Sequence, residues 1–183
     1  MNKKLQDSTQ YSHKLDALLK PKSIALVGVS PRVGTVGHDM FQVLKDGGYE
    51  GEIYLVNPRY DHLNGYKCYD SLSDIPFSID MAVLSVSSQR MEALIDEAIK
   101  LKVGGVTIFD YCKLEQETTP PLLERLKEKA RLANLPICGG NCMGFYNFDN
   151  QTHVSFQSPS KRKAGHISLI AHSGSIFVLP TGN

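Results

Sequence analysis

The sequence has no surplus of either charge. Lys and Arg total 20 against 19 Asp and Glu, a formal net charge of +1. That balance gives no reason to expect a polyanionic partner, so no nucleic acid is expected. No apolar run is long enough to cross a membrane, and residues 1–13 are polar throughout, without a signal-peptide pattern. The expectation is a cytoplasmic chain with no membrane partner. Cysteine is sparse: Cys68, Cys112, Cys138 and Cys142 contain no C-x-x-C pair. In a chain without an export signal they read as reduced thiols. Cys138 and Cys142 have a ligand-like spacing, but no second pair of Cys or His follows, so no metal is expected.

Two nucleotide-binding signatures are missing as well. Gly28, Gly34 and Gly37 do not fit G-x-G-x-x-G, because five residues separate the first two. No Gly-Lys-Ser/Thr is present, which excludes a Walker A loop.

What is present is a stretch from Ser23 to His38. Ile24 to Val29 is an apolar run of strand length, rich in β-branched residues. The chain then breaks into small residues with Pro31 and resumes at Gly37, where Met40, Phe41, Val43 and Leu44 are apolar in a helical pattern. Strand, glycine-rich turn and helix open a nucleotide-binding βαβ unit. Glycines let backbone approach a phosphate, and free N–H groups at a helix start, carrying roughly half a positive charge from the summed peptide dipoles, attract anions. Gly34 and Gly37 are both expected beside the phosphate, where a Val would intrude while the fold survived. Ser30, Arg32 and Thr35 add two hydroxyls and a guanidinium of the kind that bind phosphate. The alternative is a turn of the same fold without a ligand.

Along the rest of the chain, apolar strands alternate with helical patterns. Residues 1–14 are expected to be a mobile N-terminus, and Leu15–Leu19 a short amphipathic turn lying as a lid on the sheet edge. Strand two, Gly51–Val56, ends in Asn57, Pro58 and Arg59. An NAD fold places Asp or Glu there for the ribose hydroxyls, whereas a cation suits an extra ribose phosphate, as in NADP or coenzyme A. A solvated turn residue is the other reading of Arg59. Tyr60–Ile75 reads as a connection with turn chemistry at Asn64-Gly65. Strand three is Asp80–Val86, with Ser87 or Ser88 capping the next helix. Strand four is Val106–Phe109. A threonine cap near Thr118-Thr119-Pro120 starts another helix, and strand five is Leu135–Cys138. The alternation predicts an α/β fold with a doubly wound parallel sheet.

The loop Gly139–Asn147 follows strand five, at the strand end where such folds bind ligands. Asn141 either hydrogen-bonds a ligand or holds its own loop. Cys142 has no activating base beside it and reads as an inert thiol rather than a nucleophile. Residues 149–163 are polar, with Pro159 and the run Lys161-Arg162-Lys163, and read as a linker with a solvated turn. Gly165–Ala171 reads as a new strand, which leaves 164–183 as the incomplete start of a second domain. The chain is therefore expected to be the amino-terminal part of a longer protein, or a family member that ends early.

Four of these stretches together carry a resemblance. Leu18–Ser30 resembles the start of the NDP-forming acyl-CoA synthetases, relatives of the succinyl-CoA synthetase α subunit. Val56-Asn57-Pro58-Arg59 resembles their strand-two signature. Gly139-Gly140-Asn141-Cys142-Met143-Gly144 is similar to their Gly-Pro-Asn-Cys-x-Gly, with Gly140 in place of the proline. Gly165–Ser175 is similar to the opening of their second domain, where a Ser-x-Ser-Gly turn begins a helix. The resemblance implies a Rossmann-like CoA-binding domain over 15–148, then the start of a flavodoxin-like, succinyl-CoA-ligase-like domain.

It also implies coenzyme A lying across the carboxyl ends of the sheet. By matched position its phosphates and adenosine meet Ser30, Pro31, Arg32 and Val33 in the loop bounded by Gly28, Gly34, Thr35 and Gly37, with Asn57, Pro58 and Arg59 near the nucleotide. Ser85, Val86, Phe109, Asp110 and Asn141 line the same crevice, although Phe109-Asp110 departs from the family pattern. Ser173 and Gly174 match the turn that binds the phosphohistidine phosphate, with Ala171 replacing its first serine. The implied reaction converts acid, CoA and NTP to acyl-CoA, NDP and phosphate through an acyl phosphate and a phosphohistidine. The phosphohistidine segment and the ATP-grasp domain are not in this sequence, and none of its six histidines, His38 and His172 included, is a substitute. The expected partners are therefore CoA and the remaining ligase domains or an ATP-grasp subunit, with the chain by itself inactive. A non-catalytic CoA- or nucleotide-binding regulatory module is the alternative, and an NADP-dependent oxidoreductase domain stands behind both.

Overall fold

The computed structural model describes residues 13–159 and 163–174. Most of the expected mobile N-terminus, the cationic pair Lys161-Arg162 and residues 175–183 lie outside the described residues.

In chain order the elements are α1 (Asp16–Leu19), β1 (Ser23–Val27), α2 (Val36–Asp46), β2 (Glu52–Val56), β3 (His62–Leu63), β4 (Tyr66–Tyr69), a 3₁₀ turn (Leu72–Asp74), β5 (Met81–Leu84), α3 (Ser88–Lys100), β6 (Gly105–Ile108), α4 (Leu122–Leu132), β7 (Ile137–Cys138), β8 (Phe145–Asn147) and β9 (Thr152–Val154). Seven strands form one sheet in the order β3-β4-β2-β1-β5-β6-β7. All of its pairings are parallel except the β3–β4 hairpin. This is the expected Rossmann-like doubly wound sheet with helices on both faces.

The apolar runs have a direct physical reason. Every residue of β1, β5 and β6 is buried. Ile24, Leu26, Met81 and Val83 point to the face covered by Met40, Phe41 and Leu44 of α2. Ala25, Val27, Ala82, Leu84, Val106 and Ile108 point to the face covered by α3 and α4 through Met91, Leu94, Ile95, Leu122 and Leu126. A strand covered on both faces cannot alternate apolar with polar. Each large aliphatic side chain so buried contributes about 1.5–3 kcal/mol.

Where β1 and β5 begin, a polar clasp aligns them. Asp80 accepts backbone N–H bonds from Lys22 at 2.8 Å and Ser23 at 3.1 Å. The Ser23 hydroxyl accepts from Asp80 N at 2.9 Å and donates to Ser78 O at 3.1 Å. This pins the register that carries the loops at the other end of the strands.

Several expectations are corrected. The connection Tyr60–Ile75 holds the β3–β4 hairpin, turned by Asn64 and Gly65 at φ 51° and 84°. Its second strand adds to the sheet beside β2. Helix α1 covers an inner strand rather than the sheet edge: Ala17 packs at Gly104 and Leu18 at Gly105. Helix α4 is not capped by Thr118. Instead the Glu117 carboxylate accepts N–H bonds from Leu122 at 2.9 Å and Leu114 at 2.7 Å. Those two bonds hold the Glu117 carboxyl below its ordinary pKa.

The segment 149–163, expected as a linker, contains β9, whose three residues are buried. It pairs antiparallel with β8 and lies against α2, where His153 packs on Gly47. The expected strand Gly165–Ala171 has no regular structure, and Ile167 and Ile170 are 94% and 98% exposed. A strand needs a ladder partner, and none lies beside this run among the described residues.

Candidate functional site

The carboxyl ends of β1, β2, β5 and β6 face the same way, and the loops that follow them meet at that end of the sheet. The loop after β1 runs from Gly28 to Thr35. Gly28 has φ 91°, and a Cβ on it would collide with Ser85 O. Only glycine lets this turn pass so close to the loop after β5. The turn is also tied sideways, by Gly28 N to Val56 O at 3.0 Å and Ser85 N to Val27 O at 2.9 Å.

Beyond Gly28 the loop opens to solvent. Pro31, Arg32, Val33 and Gly34 are exposed, Val33 by 78%. The Ser30 hydroxyl accepts from Arg32 N at 3.1 Å, and the Thr35 hydroxyl donates to Arg32 O at 2.8 Å. Thr35 also caps α2, accepting from His38 N at 3.4 Å. Both hydroxyls thus shape the loop from within, while the guanidinium of Arg32 is left facing water.

The two outer glycines behave differently. Gly34 has φ 79° and nothing within 4 Å of a Cβ, so open space lies in front of its backbone. Gly37 is buried, and a Cβ on it would collide with Gly28 O. It is a packing glycine that seats α2 on the first turn, so the expectation that Gly37→Val would keep the fold is corrected.

After β2, Asn57 is a brace. Its side chain donates to Val29 O at 2.7 Å and accepts from Arg59 N at 3.0 Å. One amide therefore holds the second loop to the first and turns the chain so that Pro58 and Arg59 stand exposed. No ion pair involves Arg32 or Arg59 among the described residues.

Asp110, after β6, is occupied with the scaffold. One carboxylate oxygen accepts from the Ser88 hydroxyl and from Cys112 N at 2.8 Å, while its carbonyl accepts from Asn141 N at 2.8 Å. It joins the start of α3, the loop after β6 and the loop after β7. Asn141 sits at φ 58° with its side chain exposed. Phe109 turns to the other side, edge-on to Phe156 with ring centroids 5.8 Å apart. Ser85 and Val86 are half-buried between these loops. The ties through Ser88 and Cys112 are not visible in the sequence, where Ser88 reads as a cap and Cys112 as one of four reduced thiols. Ser173 and Gly174 follow an exposed stretch, and a Cβ at Gly174 would stand 3.1 Å from the Met143 side chain in the loop after β7.

The site is therefore a shallow ledge. A glycine-lined backbone turn and a helix start lie at its centre, flanked by two unpaired arginines. That arrangement suits an elongated anion carrying more than one phosphate.

Comparison with known proteins agrees. The CoA binding domain family model matches residues 22–147. The chain is 33% identical over 165 residues to the ADP-forming acetate–CoA ligase of Methanocaldococcus jannaschii, covering 90% of this chain and 23% of that one. It is 31% identical over 174 residues to the α subunit of the ADP-forming acetate–CoA ligase I of Pyrococcus furiosus, covering 92% of this chain and 37% of that one. Among solved structures, the dinucleotide-forming acetyl-coenzyme A synthetase 1 of Ca. Korarchaeum cryptofilum, in complex with phosphate and ADP, superposes with a TM-score of 0.69 at 29% identity. That match covers 78% of this chain and 30% of that one. The chain thus spans about a quarter to a third of the length of these relatives. With a matched segment that runs from the start of β1 to the end of β8, the chain belongs to the CoA-binding domain family.

Proposed function

We propose that this chain supplies the CoA-binding portion of an NDP-forming acyl-CoA synthetase. In that reaction acid, CoA and NTP become acyl-CoA, NDP and phosphate through an acyl phosphate and a phosphohistidine. The observation that carries the reading is the open backbone at Gly34, beside the Thr35-capped start of α2, on loops whose exposed Arg32 and Arg59 make no ion pair among the described residues. The phosphates of CoA lie along Ser30–Thr35 and approach the N–H groups of that turn. Pro58 and Arg59 meet the ribose phosphate, on the brace made by Asn57. The pantetheine arm continues past Ser85 and Val86 toward Asn141.

Within this assembly the chain binds and orients the thiol substrate. The phosphohistidine and the NTP site belong to other segments or to a separate ATP-grasp subunit, which Ser173 and Gly174 help to meet. The test is turnover. The purified chain incubated with acid, CoA and ATP should form no acyl-CoA above a heat-killed control, while CoA raises its thermal midpoint and ATP does not. CoA-dependent ATP turnover by this chain alone would overturn that division of labour.

A further inference from the structure

Asp110 stands where β6 gives way to its loop, and both ends of the residue are engaged. One carboxylate oxygen accepts from the Ser88 hydroxyl and from Cys112 N at 2.8 Å. The Ser88 hydroxyl in turn accepts from Lys113 N at 3.0 Å. Ser88 is the first residue of α3 and is 7% exposed. That helix has no acid in its first turn and no side-chain cap bond from Ser87. The Asp110 carboxylate therefore brings the negative charge that a helix start favours. The Asp110 carbonyl accepts from Asn141 N at 2.8 Å, and a Cβ on Gly140 would stand 2.7 Å from the same oxygen. A second tie lies beside it, from the Cys142 thiol to Ile108 O at 3.3 Å. The loop after β7 is thus seated on the end of β6, with Asn141 at the seat and its side chain exposed.

We propose that Ser88 and Asp110 are a positioning pair for the pantetheine arm of CoA, acting through Asn141. The inference rests on the CoA reading above and names what sets the inner end of that site. The carboxylate and the carbonyl belong to one residue, so fixing the first on Ser88 and Cys112 fixes the direction of the second. The carbonyl then decides where Asn141 N stands, and with it the exposed side-chain amide. An amide offers both a donor and an acceptor, which is what the amide groups of a pantetheine arm require. Ser85 and Val86 lie half-buried between the end of β5 and Ser88, so the same knot also anchors the stretch that the arm passes.

The nucleotide half of the ligand depends on other ties. Thr35 shapes the first loop through Arg32 O and His38 N, and Asn57 braces the second through Val29 O and Arg59 N. None of these bonds involves Ser88, Asp110 or Asn141. Loosening the Ser88–Asp110 pair therefore moves the far end of the crevice and leaves the phosphate loops where they are. A residue that merely stabilised the fold would not divide the ligand in this way.

The test is calorimetry with two ligands, CoA and adenosine 3′,5′-bisphosphate, which keeps the ribose phosphate and lacks the pantetheine arm. Ser88→Ala should weaken CoA about five- to tenfold, the worth of roughly one hydrogen bond, and leave adenosine 3′,5′-bisphosphate unchanged. Asp110→Ala should show the same loss, and Asp110→Asn, which keeps an oxygen for Ser88 and Cys112, should recover most of it. Asn141→Gly removes the amide at a left-handed position that glycine accepts. In that background Ser88→Ala should cause no further loss, since residues that act through one contact are not additive. If Asp110→Ala does not fold, Ser88→Ala and the double variant carry the test. Equal weakening of both ligands, full additivity with Asn141→Gly, or unchanged CoA affinity in folded Ser88→Ala would overturn the positioning role. Wild type that binds neither ligand would overturn the CoA reading itself, and the role of the pair with it.

Discussion

At the residue scale the two outer glycines of the first loop separate structure from binding. A Cβ at Gly37 meets the Gly28 carbonyl, whereas at Gly34 it meets nothing. Gly37→Ala should therefore destabilise the fold by about 1–3 kcal/mol, the usual cost of forcing extra volume into packed atoms. Gly34→Ala should cost only about 1 kcal/mol, from its left-handed backbone, yet weaken CoA binding, because on the proposed function a methyl group then stands where backbone faces phosphate. Urea unfolding and calorimetry on the two variants check this; equal loss of stability would show that both glycines are packing residues. In the sequence the two glycines look alike. What distinguishes them is a carbonyl nine residues earlier, brought close only when α2 docks. Asp110 shows the same limit. It sits at the end of an inner strand, where a ligand contact is expected, but its carboxylate is spent on Ser88 and Cys112.

At the scale of elements the sheet was legible and its fastenings were not. Unbroken apolar runs identify β1, β5 and β6 because both faces of an inner strand are dry. The β3–β4 hairpin escaped because its strands are short and half-polar, although Asn64-Gly65 marked its turn. The cap of α4 was misplaced because Glu117 reaches five residues forward, a geometry that the Thr-Pro signal does not contain. Asn57 is the fastening nearest the proposed CoA site. Asn57→Ala removes bonds to Val29 O and Arg59 N. Each such bond is worth about 0.5–1.5 kcal/mol, so the variant should lose on the order of 1–2 kcal/mol. It should also bind CoA and dephospho-CoA more weakly by similar factors, since the brace places the whole second loop. Loss of binding to CoA alone would mean that Asn57 touches the ribose phosphate itself.

At the scale of the whole molecule, β8 and β9 extend the domain past its last sheet strand and bring a buried histidine with them. The β9 strand was hidden because its sequence is polar, Thr152-His153-Val154, and because its support comes from α2, remote in the chain. His153 packs against the rings of both Tyr146 and Phe148, neither ring nitrogen has a partner among the described residues, and burial lowers its pKa. The folded state therefore holds the imidazole neutral, while the unfolded chain takes up its proton near the ordinary value of about 6.5. The unfolded state binds more protons below that pH, so stability falls as the solution is acidified from neutrality. Urea midpoints measured from neutral pH to about pH 5 should show this slope in wild type and a flatter one in His153→Leu; parallel slopes would clear the histidine of the effect. The most direct test of the central claim is calorimetry of the chain against CoA, dephospho-CoA, NADP and NAD. A charge-assisted hydrogen bond contributes about 1.5–3 kcal/mol, and an exposed arginine supplies the lower end or less. Since about 1.4 kcal/mol is tenfold in affinity, CoA should bind about tenfold more tightly than dephospho-CoA, NAD should bind weakest, and Arg59→Ala should narrow the first gap while leaving dephospho-CoA unchanged. If Arg32→Ala closes the gap instead, the ribose phosphate sits on the other arginine; if wild type prefers NAD to CoA, the ledge at the ends of β1 and β2 is not a CoA site.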